Sequence, residues 1–184
     1  MKAFATTLVG VLALQGDFEA HGKLLRALGA RVREVRVVAD LDGLEALVLP
    51  GGESTTMTLG IERERLAQPL AELCRRLPVL GTCAGMIMLD RAHLGVLEMR
   101  CERNAFGRQI RSFEGEVALT GFEEPFHAIF IRAPWVAEHA QEVAVLGDVE
   151  GHPVAVACGR VLAVAFHPEL QGDDRLHRWL LEQV

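Results

Sequence analysis

A glycine-flanked cysteine stands where one apolar run, Val79-Leu80-Gly81-Thr82, gives way to another, Ala84-Gly85-Met86-Ile87-Met88-Leu89. A strand running straight into a helix at such a residue is the pattern of a nucleophile elbow. The tight turn lifts the side chain above the sheet and tolerates only small neighbours, here Gly81 and Gly85. The helix beginning after Cys83 would aim its positive end and its unpaired backbone N–H groups at the same spot, which favours a thiolate and a developing oxyanion. Cys83 is therefore read as a nucleophile, with the Ala84 amide as one oxyanion donor. Cys74, Cys101 and Cys158 lack this context and are read as small buried hydrophobes.

A base and its orienting group are offered by Phe166-His167-Pro168-Glu169, at the end of the apolar run Val161-Leu162-Ala163-Val164-Ala165. In extended chain alternate side chains share a face, so His167 and Glu169 would lie together while Pro168 breaks the ladder. An imidazole can take a thiol's proton, and a carboxylate behind it fixes the tautomer and stabilises the imidazolium. Cys83, His167 and Glu169 thus form a candidate Cys-His-Glu triad. A plain His-Pro-Glu turn with a surface histidine, and a metal site on the same three residues, are the competing readings. Pro50-Gly51-Gly52-Glu53-Ser54 follows a further apolar run, and paired glycines can turn a backbone N–H of Gly51 or Gly52 toward an oxyanion opposite Ala84. Such a loop could instead cradle phosphate, but no lysine follows at P-loop spacing and Glu53 adds a negative charge.

These groups need a scaffold whose strand ends converge. Residues 8–14 are an unbroken apolar run, the pattern of a parallel strand covered on both faces. Asp17 can cap a helix carrying Phe18, Leu24, Leu25 and Leu28 at helical spacing, which Gly29 ends. Val32, Val35 and Val37 mark a second strand, with Arg31, Arg33 and Arg36 on a solvated edge. Residues 44–49 make a third strand, Ser54 or Thr55 opens a helix, and Pro69 interrupts that helix or starts another. This alternation predicts an α/β fold: a doubly wound, mostly parallel central sheet with flanking helices and right-handed crossovers. Beyond Asp90, short β-like runs at 115–119, 128–131, 143–146, 154–157 and 161–166 predict an antiparallel extension at the sheet edge, and residues 94–97 read as a separate short strand. A closing helix is expected over residues 173–182, and the absence of repeats or low-complexity linkers predicts one domain over 1–184.

The chain has 184 residues, half of them hydrophobic and 24% charged, which excludes a disordered polymer. A net charge of −6 argues against nucleic acid and anionic membrane as partners. No apolar run approaches the roughly 20 residues of a membrane span, and no secretory leader is recognisable. The four cysteines include no C-x-x-C pair, so neither a zinc knuckle nor a disulfide framework is suggested and a reducing, cytoplasmic setting is expected. No metal or cofactor is expected.

In the order strand-PGGES, strand-GTCAG and strand-FHPE, the chain resembles the triad-type (class I) glutamine amidotransferases. Blocks at residues 11–17, 49–57, 103–109 (Arg103-Asn104-Ala105-Phe106-Gly107-Arg108-Gln109), 129–134 and 166–170 resemble more narrowly the glutaminase subunits of pyridoxal 5'-phosphate synthases. That resemblance implies hydrolysis of L-glutamine to L-glutamate and ammonia. The ammonia would pass through a hetero-oligomeric complex to a separate synthase (lyase) subunit. It also implies Cys83 as nucleophile, His167 as base and acid, Glu169 as orienting carboxylate, and Gly52, Glu53, Ser54, Arg103, Ile131 and Arg132 as the glutamine-binding positions. A guanidinium fork suits a carboxylate, so Arg103 or Arg132 is fitted to the amino-acid end of glutamine; without the resemblance Arg103 reads as a surface charge. Gln15, at a strand end beside Gly16, could face the oxyanion loop or the partner subunit, or be a simple turn residue. Paired Gly51 and Gly52 further suggest a peptide flip that a docking partner sets. The stretch after Leu89 is shorter than in many members. A stand-alone cysteine hydrolase and a non-catalytic partner-binding subunit are the alternatives.

Overall fold

The computed structural model describes residues 4–106 and 112–184. Its first half alternates strand and helix as β1 (Leu8–Leu12), α1 (Phe18–Ala27), β2 (Arg31–Val35), β3 (Ala46–Leu49), α2 (Ser54–Arg63), α3 (Ala67–Cys74), β4 (Val79–Thr82) and α4 (Ala84–Leu89). Pro69 starts a helix rather than breaking one: it sits in the first turn of α3, where an N–H would have no intrahelical acceptor. The second half runs β5 (Met99–Glu102), β6 (Ser112–Val117), β7 (Phe126–Ile131), β8 (Trp135–His139), β9 (Ala144–Val149), β10 (His152–Cys158), β11 (Val161–Val164), α5 (Pro168–Gln171) and α6 (Arg175–Glu182).

Seven strands form one sheet in the order β2-β1-β3-β4-β11-β10-β9, the first five mutually parallel and β10 and β9 added antiparallel. β1 pairs with β2 on one side and β3 on the other, so the chain winds outward in both directions and a topological switch point opens between β1 and β3. Strands β3, β4 and β11 are buried along their whole length, which is why they read as continuous apolar runs. No helix among the described residues is long and apolar enough to cross a membrane.

Three expectations need correction. The antiparallel extension at the sheet edge consists of β9 and β10 only; β5 with β8 and β6 with β7 form separate two-stranded sheets, and β11 belongs to the parallel set. Residues 94–97 are not a strand. Their N–H groups instead bond to the carbonyls of Met88, Leu89 and Asp90, which the end of α4 leaves without intrahelical partners. His167 to Glu169 is not extended chain either: Pro168 opens α5 as its first residue, where its fixed φ suits the helix.

Candidate functional site

The β4–β11 register opposes Thr82 to Val164, and the Cys83 N–H donates to the Val164 carbonyl at 2.8 Å. Pairing thus delivers the two stretches bearing Cys83 and His167, far apart in sequence, to one sheet edge. Cys83 adopts φ +47° and ψ −105°, a left-handed conformation that non-glycine residues rarely take and that strained functional turns use. Its small neighbours are needed for packing. A Cβ on Gly85 would lie 1.9 Å from the Leu49 carbonyl oxygen, and one on Gly81 would lie 2.7 Å from Leu89 Cδ1. Helix α4 therefore rests directly on the backbone of the sheet, with its first-turn N–H groups behind the thiol.

His167 is pinned by its own N–H, which donates to the Ile129 carbonyl of β7 at 3.0 Å. Its Nδ1 lies 2.7 Å from Glu169 Oε1, leaving Nε2 as the nitrogen that can serve the thiol. The ring packs against Gly51, where an added Cβ would meet His167 Cε1 at 2.3 Å and Cys83 Cβ at 3.3 Å. Burial works against a charged ring here, yet hydrogen bonds to the Cys83 sulfur and the Glu169 carboxylate outweigh it and hold the His167 pKa up at about 10. Burial likewise opposes an ionised Glu169, but the His167 hydrogen bond and the His21 ring 3.4 Å from its other oxygen hold its carboxyl well below the usual range. The Cys83 sulfur also approaches the Ile131 carbonyl oxygen at 3.8 Å.

A cavity of about 210 Å³ opens over Cys83 and His167. Gln15, Gly52, Glu53, Ser54, Ala84, Arg103, Ile131 and Arg132 all line it, whereas Gly51 lies behind the imidazole with its carbonyl accepting from the Asp17 N–H at 3.3 Å. Gln15 Oε1 accepts from the Glu53 N–H at 2.7 Å, and a Cβ on Gly52, which has φ +144°, would strike that oxygen at 2.3 Å. The Gln15 amide thus braces the glycine loop across the switch point. Glu53 is the N-cap of α2; bonds from Thr56 and Thr55 bring its carboxyl down to about 2, and it meets Arg103 at 3.2 Å. Arg132 and Asn104 in the lining carry φ of +46° and +50°, like Cys83 on the left-handed side. Of the sequence block 103–109, Gly107, Arg108 and Gln109 lie outside the described residues.

Sequence reasoning missed three lining residues. Asp17 occupies the N-cap position of α1 but makes no capping bond; its carboxylate instead stands 3.7 Å from His167 Nδ1. Asn104 and Ile87 also line the cavity; Asn104 lies in the sequence block that follows Arg103 and Ile87 one turn into the elbow helix, but neither residue type points to a role by itself. Asp17, His167 and Glu169 offer one ligand atom each within 4.8 Å, a possible cation grouping that differs from the expected one by Asp17 in place of Cys83. Glu169 and His167 Nδ1 are, however, already bonded to each other. A buried thiol beside an imidazole, itself held by a carboxylate under an open cavity, is an arrangement suited to nucleophilic attack on an acyl group.

The model of the SNO glutamine amidotransferase family matches residues 11–184. The chain belongs to that family. This SNO-family chain is 48% identical to the pyridoxal 5'-phosphate synthase subunit PdxT of Mycobacteroides abscessus, over 96% of the chain and 97% of the relative. It is also 48% identical to the PdxT subunit of Pelotomaculum thermopropionicum, over 95% and 94%. Among solved structures, a glutamine amidotransferase crystal structure superposes with a TM-score of 0.89 at 45% identity, covering 95% of this SNO-family chain and 97% of that one. PurLQS from Thermotoga maritima superposes with a TM-score of 0.72 at 19% identity, a likeness of fold alone.

Proposed function

We propose that this chain is the glutaminase subunit of a pyridoxal 5'-phosphate synthase: it hydrolyses L-glutamine and delivers the ammonia to the synthase (lyase) subunit of a hetero-oligomeric complex. The observation that carries the reading is the strained elbow of Cys83 beside a His167–Glu169 pair 2.7 Å apart, under a cavity rimmed by two arginines. Full-length likeness to PdxT subunits supports the choice of partner and product. The whole chain is read as one glutaminase domain. Free cysteines at all four positions agree with a cytoplasmic setting.

The Cys83 thiolate attacks the side-chain amide carbon, and the C=O electrons move onto oxygen. The Gly52 N–H, carried by the Gly51–Gly52 peptide, and the Ala84 N–H receive that oxyanion, each donor contributing roughly 2.7–4 kcal/mol of barrier lowering by analogy with other enzymes. His167, charged by the thiol's proton, returns it to the departing nitrogen, and ammonia leaves as the C–N bond breaks. Water, deprotonated by the same ring, then adds to the thioester; the C–S bond breaks and glutamate is released. Arg103 and Arg132 hold the substrate carboxylate, Glu53 keeps Arg103 at the rim, and Gly52, Ser54 and Ile131 complete the wall. Gln15 fixes the glycine loop.

The test is ammonia release from glutamine by the chain alone and with its synthase subunit, for the unaltered protein and Cys83→Ala. Turnover that requires the partner and vanishes in Cys83→Ala is expected. Undiminished turnover by Cys83→Ala would overturn the reading.

A further inference from the structure

The proposed mechanism leaves two fully buried imidazoles unused. His21 on α1 and His177 on α6 are both 0% exposed, with His21 Nδ1 2.8 Å from His177 Nε2. The other nitrogen of His21, Nε2, lies 3.1 Å from Thr82 Oγ1 and 3.4 Å from Glu169 Oε2. One ring therefore touches both the residue preceding Cys83 and the free oxygen of the carboxylate that orients His167.

Two neutral imidazoles joined by one hydrogen bond have two proton arrangements. If His21 donates from Nδ1, its Nε2 turns a lone pair toward the ionised Glu169, and His177 must bury an N–H at Nδ1. If His177 donates from Nε2, His21 carries its proton on Nε2, facing Glu169 Oε2 and Thr82. Among the described residues, Glu169 Oε2 and His177 Nδ1 are the buried side-chain atoms without a hydrogen-bond partner; the Asp173 carbonyl approaches the His177 ring outside hydrogen-bond geometry. A buried lone pair without a donor is tolerated better than a buried N–H without an acceptor. Only the second arrangement leaves His177 Nδ1 as a lone pair and brings a proton to the second carboxylate oxygen.

We propose that His21 and His177 form a tautomer-locked clamp, in which His177 obliges His21 to present Nε2–H to Glu169 and so aims that carboxylate at His167. Both are positioning residues, and the inference deepens the glutaminase reading on which it rests. Burial, reinforced by the neighbouring His21, lowers the His177 pKa to about 3, in keeping with a neutral ring. The groups facing the pair are Glu169 from α5, Thr82 from β4 and Asp173 ahead of α6.

Long-range ¹H–¹⁵N correlation on the intact, histidine-labelled chain tests the clamp without any mutation. Both rings are expected as Nε2–H tautomers, and a proton on Nδ1 of either one would overturn the proposal. In complex with the synthase subunit, His21→Leu should lower kcat about tenfold to a hundredfold with KM for glutamine unchanged, the loss expected from removing a polar N–H that faces a buried charged group. His21→Gln, which keeps an N–H near the Nε2 position, should recover most of it. The acidic limb of the kcat/KM profile should move to higher pH in His21→Leu, because Glu169 loses a donor. Unchanged kcat and an unmoved limb would refute the clamp. Absence of glutamine turnover by the unaltered complex would instead refute the glutaminase reading, with the tautomer measurement still standing as the test of the clamp.

Discussion

At the scale of single residues, the site is built by close approach. Gly51 is needed because the His167 ring occupies the place of its missing side chain, with Cε1 only 2.3 Å from where a Cβ would stand. Gly51→Ala should therefore displace the imidazole and lower kcat about a hundredfold, the scale of an ångström of misplacement at a reacting group; steady-state ammonia release measures it, and a normal rate would mean that the ring accommodates a methyl group. Glu169→Gln keeps the shape of the pair but removes its charge, and kcat should drop by roughly 10³–10⁴ on the precedent of buried triad carboxylates. Cys83, His167 and Glu169 are legible in sequence because each lies in a short motif whose chemistry is local. His21 and His177 are not, since an isolated histidine on a helix face carries no pattern until α1, α5 and α6 come together. Asp17 misleads for a related reason: an aspartate before a helix reads as a cap, and only tertiary structure turns its carboxylate toward His167.

At the scale of elements, the caps and turns decide where side chains point. Ser54 opens α2, as its sequence suggests, and Glu53 caps it, accepting from the Thr55 and Thr56 N–H groups at 3.2 and 2.8 Å while pairing with Arg103. Glu53→Ala should cost about 0.5–2 kcal/mol of stability, the usual worth of an N-cap, and should also raise KM for glutamine as Arg103 loses its anchor. Thermal unfolding and initial-rate kinetics on the one variant separate the two effects; a lowered melting temperature with KM unmoved would take Arg103 out of the binding role. The parallel half of the sheet was readable because buried parallel strands leave unbroken apolar runs between helical periodicities. The second half was harder. β5 and β8 are short, partly exposed and paired with each other across distant sequence, so each lacks the run that would announce it. The His-Pro-Glu step reads as extended in sequence because proline both breaks a strand and starts a helix, and only the residues after it choose.

At the scale of the whole molecule, the switch point between β1 and β3 gathers the Gln15 and Gly51 loops at the carboxyl ends of the strands, and α1 and α6 close over the far side of Glu169 with two histidines that cannot reach water. That burial has a consequence for acid stability. Desolvation lowers the folded pKa of His177 from 6.5 to about 3, so below pH 6.5 the unfolded chain binds a proton that the folded chain refuses. Stability contributed by the neutral ring is complete above that pH and is lost as pH falls toward 3, by about 1.4 kcal/mol for each unit. Glu169, held below its ordinary value of 4.5, acts in the same direction, its contribution present above that pH and draining away beneath it. Urea unfolding at pH 7 and pH 5 should therefore reveal a loss of about 2 kcal/mol from His177 alone in the unaltered protein. His177→Gln cannot titrate, and its unfolding free energy should fall much less over the same interval; equal losses in the two proteins would place the acid sensitivity in some other group and leave the buried histidine without a part in it.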